Sequence, residues 1–113
     1  MDLSRLLEIG EEIRKQLGDL VSLAQLSLLY LVALQPGITN VEAAKRLNMP
    51  RGSISRNASK LSKYSRYGRD QGYGLIEQKV DFAVDSRRHA LYLTKDGETF
   101  IKMIKSMLGN DEG

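Results

Sequence analysis

The sequence predicts a mainly α-helical fold with one small β-hairpin, and three observations predict it. Apolar residues recur at helical spacing through most of the first 63 positions and again near the C-terminus. Two stretches between residues 75 and 94 instead alternate apolar with polar residues, the period of a half-buried strand. Helix start and stop residues fall at the edges of the helical stretches rather than inside them.

In chain order, Leu3, Leu6, Leu7, Ile9, Ile13, Leu17 and Leu20 recur at helical spacing, with Glu8, Glu11, Glu12, Arg14 and Lys15 between them. They predict a first helix over 3–17, stopped at Gly18. Ser22 and Gln25 have the spacing of a capping box and open a second helix over 23–34, apolar nearly all round and so central. Pro36-Gly37 ends it. Thr39 and Glu42 repeat the capping box and open a third helix over 40–47. Asn48 can take the left-handed conformation that ends a helix, and Pro50 suits the first turn of a fourth helix over 50–63.

Residues 64–74, with three Gly and three Tyr, read as a loop or a distorted helix end. From Leu75 to Phe82, Ile76, Val80 and Phe82 share one face and Glu77, Lys79 and Asp81 the other. From His89 to Thr94 the alternation resumes, with Leu91 and Leu93 inward and a polar turn before it. Thr94 caps a last helix over 95–108, whose stripe is Phe100, Ile101, Ile104, Met107 and Leu108. Helices followed directly by a hairpin and a further helix give the order of a winged helix-turn-helix, with the helix-turn-helix at 40–63 and the wing at 75–94. At 113 residues the chain is expected to form a single domain, 1–113.

Charge narrows the function. Between Lys45 and Arg69 stand eight basic residues and no acidic one, whereas the other 88 residues carry a net of −5. One concentrated positive segment is suited to a polyanion. The absence of Cys excludes disulfides, Fe–S clusters and thiolate zinc sites, and His89 is the only histidine, so no metal or other cofactor is expected. No nucleophile–base arrangement or phosphate-cradling loop is present, and Gly72-Tyr73-Gly74 is too short for a dinucleotide fingerprint, so no catalytic residue and no enzyme are expected. The longest apolar stretch, Leu26 to Leu34, is far short of a bilayer span. With no signal-peptide layout at the N-terminus, the expectation is a cytoplasmic protein without a membrane partner.

Within the helix-turn-helix, Ala44 is expected at the close crossing of the two helices, and Leu47 and Ile54 in the core. The second helix of such a pair enters the major groove of DNA. Its candidate DNA-binding residues are Arg51, Ser53, Ser55, Arg56, Asn57, Ser59, Lys60 and Lys63. Arginine can bond guanine bidentately, and Ser or Asn can bond base edges or phosphate. Asn57 falls where an apolar residue is common. At the hairpin tip, Arg87 and Arg88 suit a narrow minor groove, with Asp85 placed to hold a guanidinium.

Leu75-Ile76-Glu77, Asp85-x-Arg87 and Leu93-Thr94-x-x-Gly97 together resemble the wing signature of the multiple-antibiotic-resistance-regulator (MarR) family. Ser22 to Gln25 and Pro36 to Thr39 resemble that family's lead into its helix-turn-helix. The resemblance covers about 22–97. It implies a dimeric DNA-binding regulator whose wing arginine is Arg87, steadied by Asp85, and whose dimer forms through the N- and C-terminal helices, here 3–17 and 95–108. The apolar stripes of those helices make Leu6, Ile9, Ile13, Leu17, Phe100, Ile104, Met107 and Leu108 the candidate interface. This chain departs from the family in a reduced C-terminal helical part, an insertion at 64–74 and Asn57. Whether a small-molecule effector binds is open.

The leading expectation is a homodimeric repressor binding a palindromic operator in double-stranded DNA. Two alternatives stand beside it: binding of RNA or single strands, including a replication-initiation role, with Tyr64, Tyr67 and Tyr73 stacking on bases; and a winged helix serving as a protein-interaction module.

Overall fold

A computed structural model describes residues 2–63, 72–80 and 89–109. Five helices, α1 (Leu3–Leu17), α2 (Leu23–Leu34), α3 (Asn40–Leu47), α4 (Arg51–Leu61) and α5 (Lys95–Met107), surround a small antiparallel sheet of β1 (Ile38–Thr39), β2 (Ile76–Val80) and β3 (His89–Leu93). The strand order is β1-β3-β2.

Local chemistry sets most of the helix ends. The Asp2 carboxylate accepts from the Arg5 amide (2.8 Å) and starts α1. Gly18, at φ +94°, ends it, and its N–H donates to the Arg14 carbonyl (2.7 Å). Both capping boxes form. Ser22 Oγ accepts from the Gln25 amide (3.1 Å) while Gln25 Oε1 accepts from the Ser22 amide (2.9 Å). Thr39 and Glu42 do the same at 3.1 and 3.0 Å. Asn48 closes α3 in the left-handed conformation (φ 54°, ψ 49°), the sharp turn that the helix-turn-helix needs. Pro50 lies outside α4 rather than in its first turn: its backbone is extended (ψ 149°), and its carbonyl accepts from the Ser53 and Ile54 amides.

The core sits under α2, whose Leu28, Leu29 and Val32 are wholly buried. Ile54, Ala58 and Leu61 reach it from α4, Leu91 from β3, Ile76 from β2, and Phe100, Ile101 and Ile104 from α5. Ile9 and Ile13 close it from α1. On α3, Ala43 has no exposed surface, and Ala44 is half-buried and packs against the same core. The two expected strands pair antiparallel, with Ile76 opposite Leu93 and Val80 opposite His89. The third strand, β1, was not legible in the sequence. Ile38 pairs with Leu91, and the Gly37 amide donates to the Leu91 carbonyl (2.8 Å). A two-residue strand has no period to read, and only pairing with β3 defines it.

Candidate nucleic-acid interface

The candidate surface is the outer side of α4. Ile54, Ala58 and Leu61, at i, i+4 and i+7, are its buried residues and bind it to α2 and the sheet. At about 3.6 residues per turn, the opposite face carries Gly52, Arg56 and Ser59. Gly52 and Arg56 are exposed, as is Lys63 just past the helix end, and Ser59 is half-buried. Ser53, Ser55 and Lys60 lie on the flanks, half-buried, and Arg51 is exposed at the first turn. Asn57 flanks the buried face and is itself half-buried; the core position beside it is filled by Ala58. That is why a polar residue is tolerated where an apolar one was expected.

The outer face is ordered by short-range contacts. Arg56 Nη2 donates to Ser53 Oγ (3.3 Å), one turn earlier. Gly52 was missed as a surface residue because it has no functional group. Lacking a side chain, it leaves the first turn of α4 low beside Arg56. Lys45 and Arg46, exposed at the end of α3, extend the same positive segment toward the turn. No carboxylate interrupts the segment from Lys45 to Lys63.

At the far end of α4 the chain returns at residue 72. The Gly72 amide donates to the Lys63 carbonyl (3.0 Å), Tyr73 to Lys60 (2.9 Å), Gly74 to Ser62 (3.1 Å) and Leu75 to Leu61 (2.8 Å). Four carbonyls at the end of α4 are thereby satisfied, groups that a helix terminus leaves without partners. The Lys60 ammonium lies 5.3 Å from the centroid of the Tyr73 ring. Burial pushes the Tyr73 phenol above its ordinary pKa.

The Leu93-Thr94-x-x-Gly97 motif joins α5 to the same segment. Thr94 Oγ1 accepts from the Gly97 amide (3.0 Å) as the cap of α5 and donates to the Gly74 carbonyl (2.6 Å). The Thr94 amide donates to the Leu75 carbonyl (3.0 Å). The wing candidates Asp85, Arg87 and Arg88 lie outside the described residues, as do Tyr64, Tyr67, Arg66 and Arg69. His89, at the start of β3, is placed: its amide approaches Asn40 Oδ1 (3.5 Å), which ties β3 to the start of α3.

The terminal helices separate into two sets of apolar residues. Ile9, Ile13, Phe100 and Ile104 are buried inside this chain, at 3–8% exposure. Leu17 and Met107 are half-buried, and Leu6 and Leu108 are exposed. Leu3, Leu7 and Leu34 are more exposed still, at 82%, 65% and 77%. An open apolar groove of about 350 Å³ is lined by Leu6, Tyr30, Ala33, Leu34, Ile101 and Leu108, among others. Sequence periodicity could not separate the two sets, because both lie on the apolar side of their helices.

Among the described residues no group of His, Cys, Asp or Glu is placed to hold a metal ion. Nor is any described helix long and apolar enough to cross a membrane.

A helix pair joined by a left-handed Asn, followed by two paired strands and a closing helix, defines a winged helix-turn-helix. Solved structures narrow the class further. A crystal structure of MarR is 28% identical and superposes with a TM-score of 0.66, covering 97% of this chain and 77% of that one. MepR from S. aureus, solved as a DNA complex, is 21% identical with a TM-score of 0.73, covering 96% and 80%. FabT from Streptococcus pneumoniae, also solved with DNA, is 20% identical with a TM-score of 0.71, covering 95% and 68%. The chain has the MarR-like winged helix-turn-helix fold. It spans only 64–66% of the length of several other solved structures that it matches. No family model and no curated protein matches the sequence.

Proposed function

We propose that the protein is a sequence-specific transcriptional regulator of double-stranded DNA, acting as a homodimeric repressor, with α4 in the major groove and the hairpin wing in the minor groove. One observation carries the reading: the core face of α4 holds Ile54, Ala58 and Leu61, so Arg56 is exposed on the opposite, outward side, with half-buried Ser59 beside it. A helix presented this way can lower its first turn, bare at Gly52, into the groove, while lysines and arginines on either side meet phosphates. Two neighbours of the same fold were solved bound to DNA, which supports the same docking here.

A dimer is supported by the exposed leucines of α1, α2 and α5. Leu6, Leu34 and Leu108 line an apolar groove between those helices, and Leu3 and Leu7 add exposed apolar surface on α1; exposed apolar surface gathered in this way commonly marks an interaction site. Leu3 and Leu7 of one copy seated in the groove of the other would make an isologous contact, each copy supplying knob and hole. Two copies then present two α4 helices, and a palindromic operator mirrors that symmetry. Bound across a promoter, such a dimer blocks access to it. Under this reading the protein is not an enzyme, binds no cofactor and works in the cytoplasm.

The test is selection of binding sites from random duplex DNA. The expected result is a palindromic consensus with half-sites about 34–36 Å apart, one helical turn. Enrichment of no duplex sequence would overturn the reading. Tyr73 bears on the single-strand alternative: its ring is half-buried against Lys60 rather than presented as an open stacking platform.

A further inference from the structure

We propose that Tyr73 is a positioning residue for Lys60, holding its ammonium at the C-terminal end of α4 for contact with the DNA backbone. The inference rests on the DNA-binding reading above and adds a residue that lies outside the helix-turn-helix.

Two independent contacts join the same two residues. The Tyr73 amide donates to the Lys60 carbonyl (2.9 Å), and the Lys60 ammonium lies 5.3 Å from the Tyr73 ring centroid. The first sets where the ring stands relative to the helix. The second draws the flexible lysine side chain across it by cation–π attraction. Glycine makes the seating possible. A Cβ on residue 72 would stand 1.8 Å from the Ser62 carbonyl oxygen and 2.7 Å from that of Lys60, so only Gly72 lets the returning backbone lie this close to α4. The neighbouring bonds from Gly74 and Leu75 hold the segment on both sides of the pair.

The chemistry of the partner matters. A carboxylate beside Lys60 would orient the ammonium but cancel its charge toward phosphate. A neutral ring orients it and leaves the full charge available. Lys60 forms no ion pair with any described residue, and it lies on the flank of α4 between the outward face and the returning chain. A lysine held there loses less rotamer freedom on meeting a phosphate than a free one would.

The test is a double-mutant cycle on binding of the full chain to its selected duplex, read over a salt series. Tyr73→Leu is expected to weaken binding about two- to fivefold in the Lys60 background. It should have no further effect in the Lys60→Met background, where the charge is already gone. Tyr73→Phe, which keeps the ring face, should bind as the parent does. Lys60→Met itself should weaken binding to all sequences alike and lower the salt slope by about one per subunit. An equal loss from Tyr73→Leu in both backgrounds would overturn the proposal, because Tyr73 would then act by itself. A loss in Tyr73→Phe would overturn it as well, since the hydroxyl would be the acting group. If Tyr73→Leu fails to fold, the Phe variant and a Tyr73→Met variant complete the same cycle, with Met expected to behave as Leu. A parent protein that binds no duplex at all overturns the DNA-binding reading and this inference with it. Normal duplex binding without coupling between residues 60 and 73 overturns only the inference.

Discussion

Gly97 lies directly against the backbone of Leu75: a Cβ at position 97 would stand 2.0 Å from the Leu75 carbonyl oxygen. That oxygen is the one that accepts from the Thr94 amide, and the Leu75 amide in turn donates to Leu61 at the end of α4. The first turn of α5 and the last turn of α4 are therefore both anchored on one residue. The glycine of the Leu93-Thr94-x-x-Gly97 motif is required because no side chain fits between them.

Gly97→Ala should consequently destabilise the protein by about 1–3 kcal/mol, the usual cost of forcing extra volume into a packed contact. Gly10→Ala is the matched control. Gly10 lies within α1 with nothing within 4 Å of a Cβ placed there, so alanine should stabilise by about 0.5–1 kcal/mol through helix propensity. Urea unfolding of the two variants measures both. Equal stabilities would show that α5 does not approach Leu75 this closely.

The terminal helices should respond in two different ways. Leu3→Glu and Leu7→Glu alter exposed positions, and should yield a folded monomer of 12.7 kDa in sedimentation where the parent sediments at about twice that mass. Ile13→Ala alters a residue 5% exposed, and should cost about 2–5 kcal/mol of stability whatever the oligomeric state. A parent protein that sediments as a monomer would remove the dimer and the palindrome together.

Readout and anchoring should separate between Arg56 and Arg87. Arg56→Ala is expected to cost about 1–3 kcal/mol on the preferred site and to relax preference at one or two positions of each half-site. Arg87, in the wing signature, is expected at the minor groove, where the base pattern is degenerate and groove width matters more. Arg87→Ala should weaken binding to most sequences, with a further loss where A·T pairs narrow the groove. A panel of single-base operator changes decides between these patterns. A uniform loss from Arg56→Ala would reduce that residue to a phosphate contact.

Binding should be strongly sensitive to salt. If a dimer neutralises roughly 6–10 phosphates, affinity falls by about 10³–10⁵ between 50 and 200 mM salt as counterions are released. Fluorescence anisotropy on a labelled duplex gives the slope directly. A flat response would mean that the segment from Lys45 to Lys63 does not face DNA.

Much of the architecture was readable one helix at a time. Ser22 with Gln25, Thr39 with Glu42, and Gly18 are signals between residues at most three or four apart, and the boundaries they mark coincide with those observed. The alternation in 76–80 and 89–93 likewise reported strands that pair with each other in register. The DNA-facing candidates on α4 were a mixed group by sequence. Burial of Ile54, Ala58 and Leu61 sorted them into outward, flanking and core-adjacent positions, and gave Asn57 a place beside Ala58 rather than in the core.

What the sequence by itself determined is everything encoded in short-range patterns: five helices and most of their end signals, two strands, their order, and one uninterrupted positive segment laid over the second helix of a helix-turn-helix. What only the tertiary structure decided depends on partners distant in the chain. The strand at Ile38 exists because Leu91 pairs with it. Ile9 and Ile13 turn inward onto α2 and α5, while Leu3 and Leu7 on the same helix remain outside. Gly72 and Gly97 are required because the Ser62 and Leu75 carbonyls pass within a side chain's width. Periodicity can assign a residue to a face of its own helix. Which neighbour covers that face is settled only by long-range packing, and none of it is written in the spacing of adjacent residues.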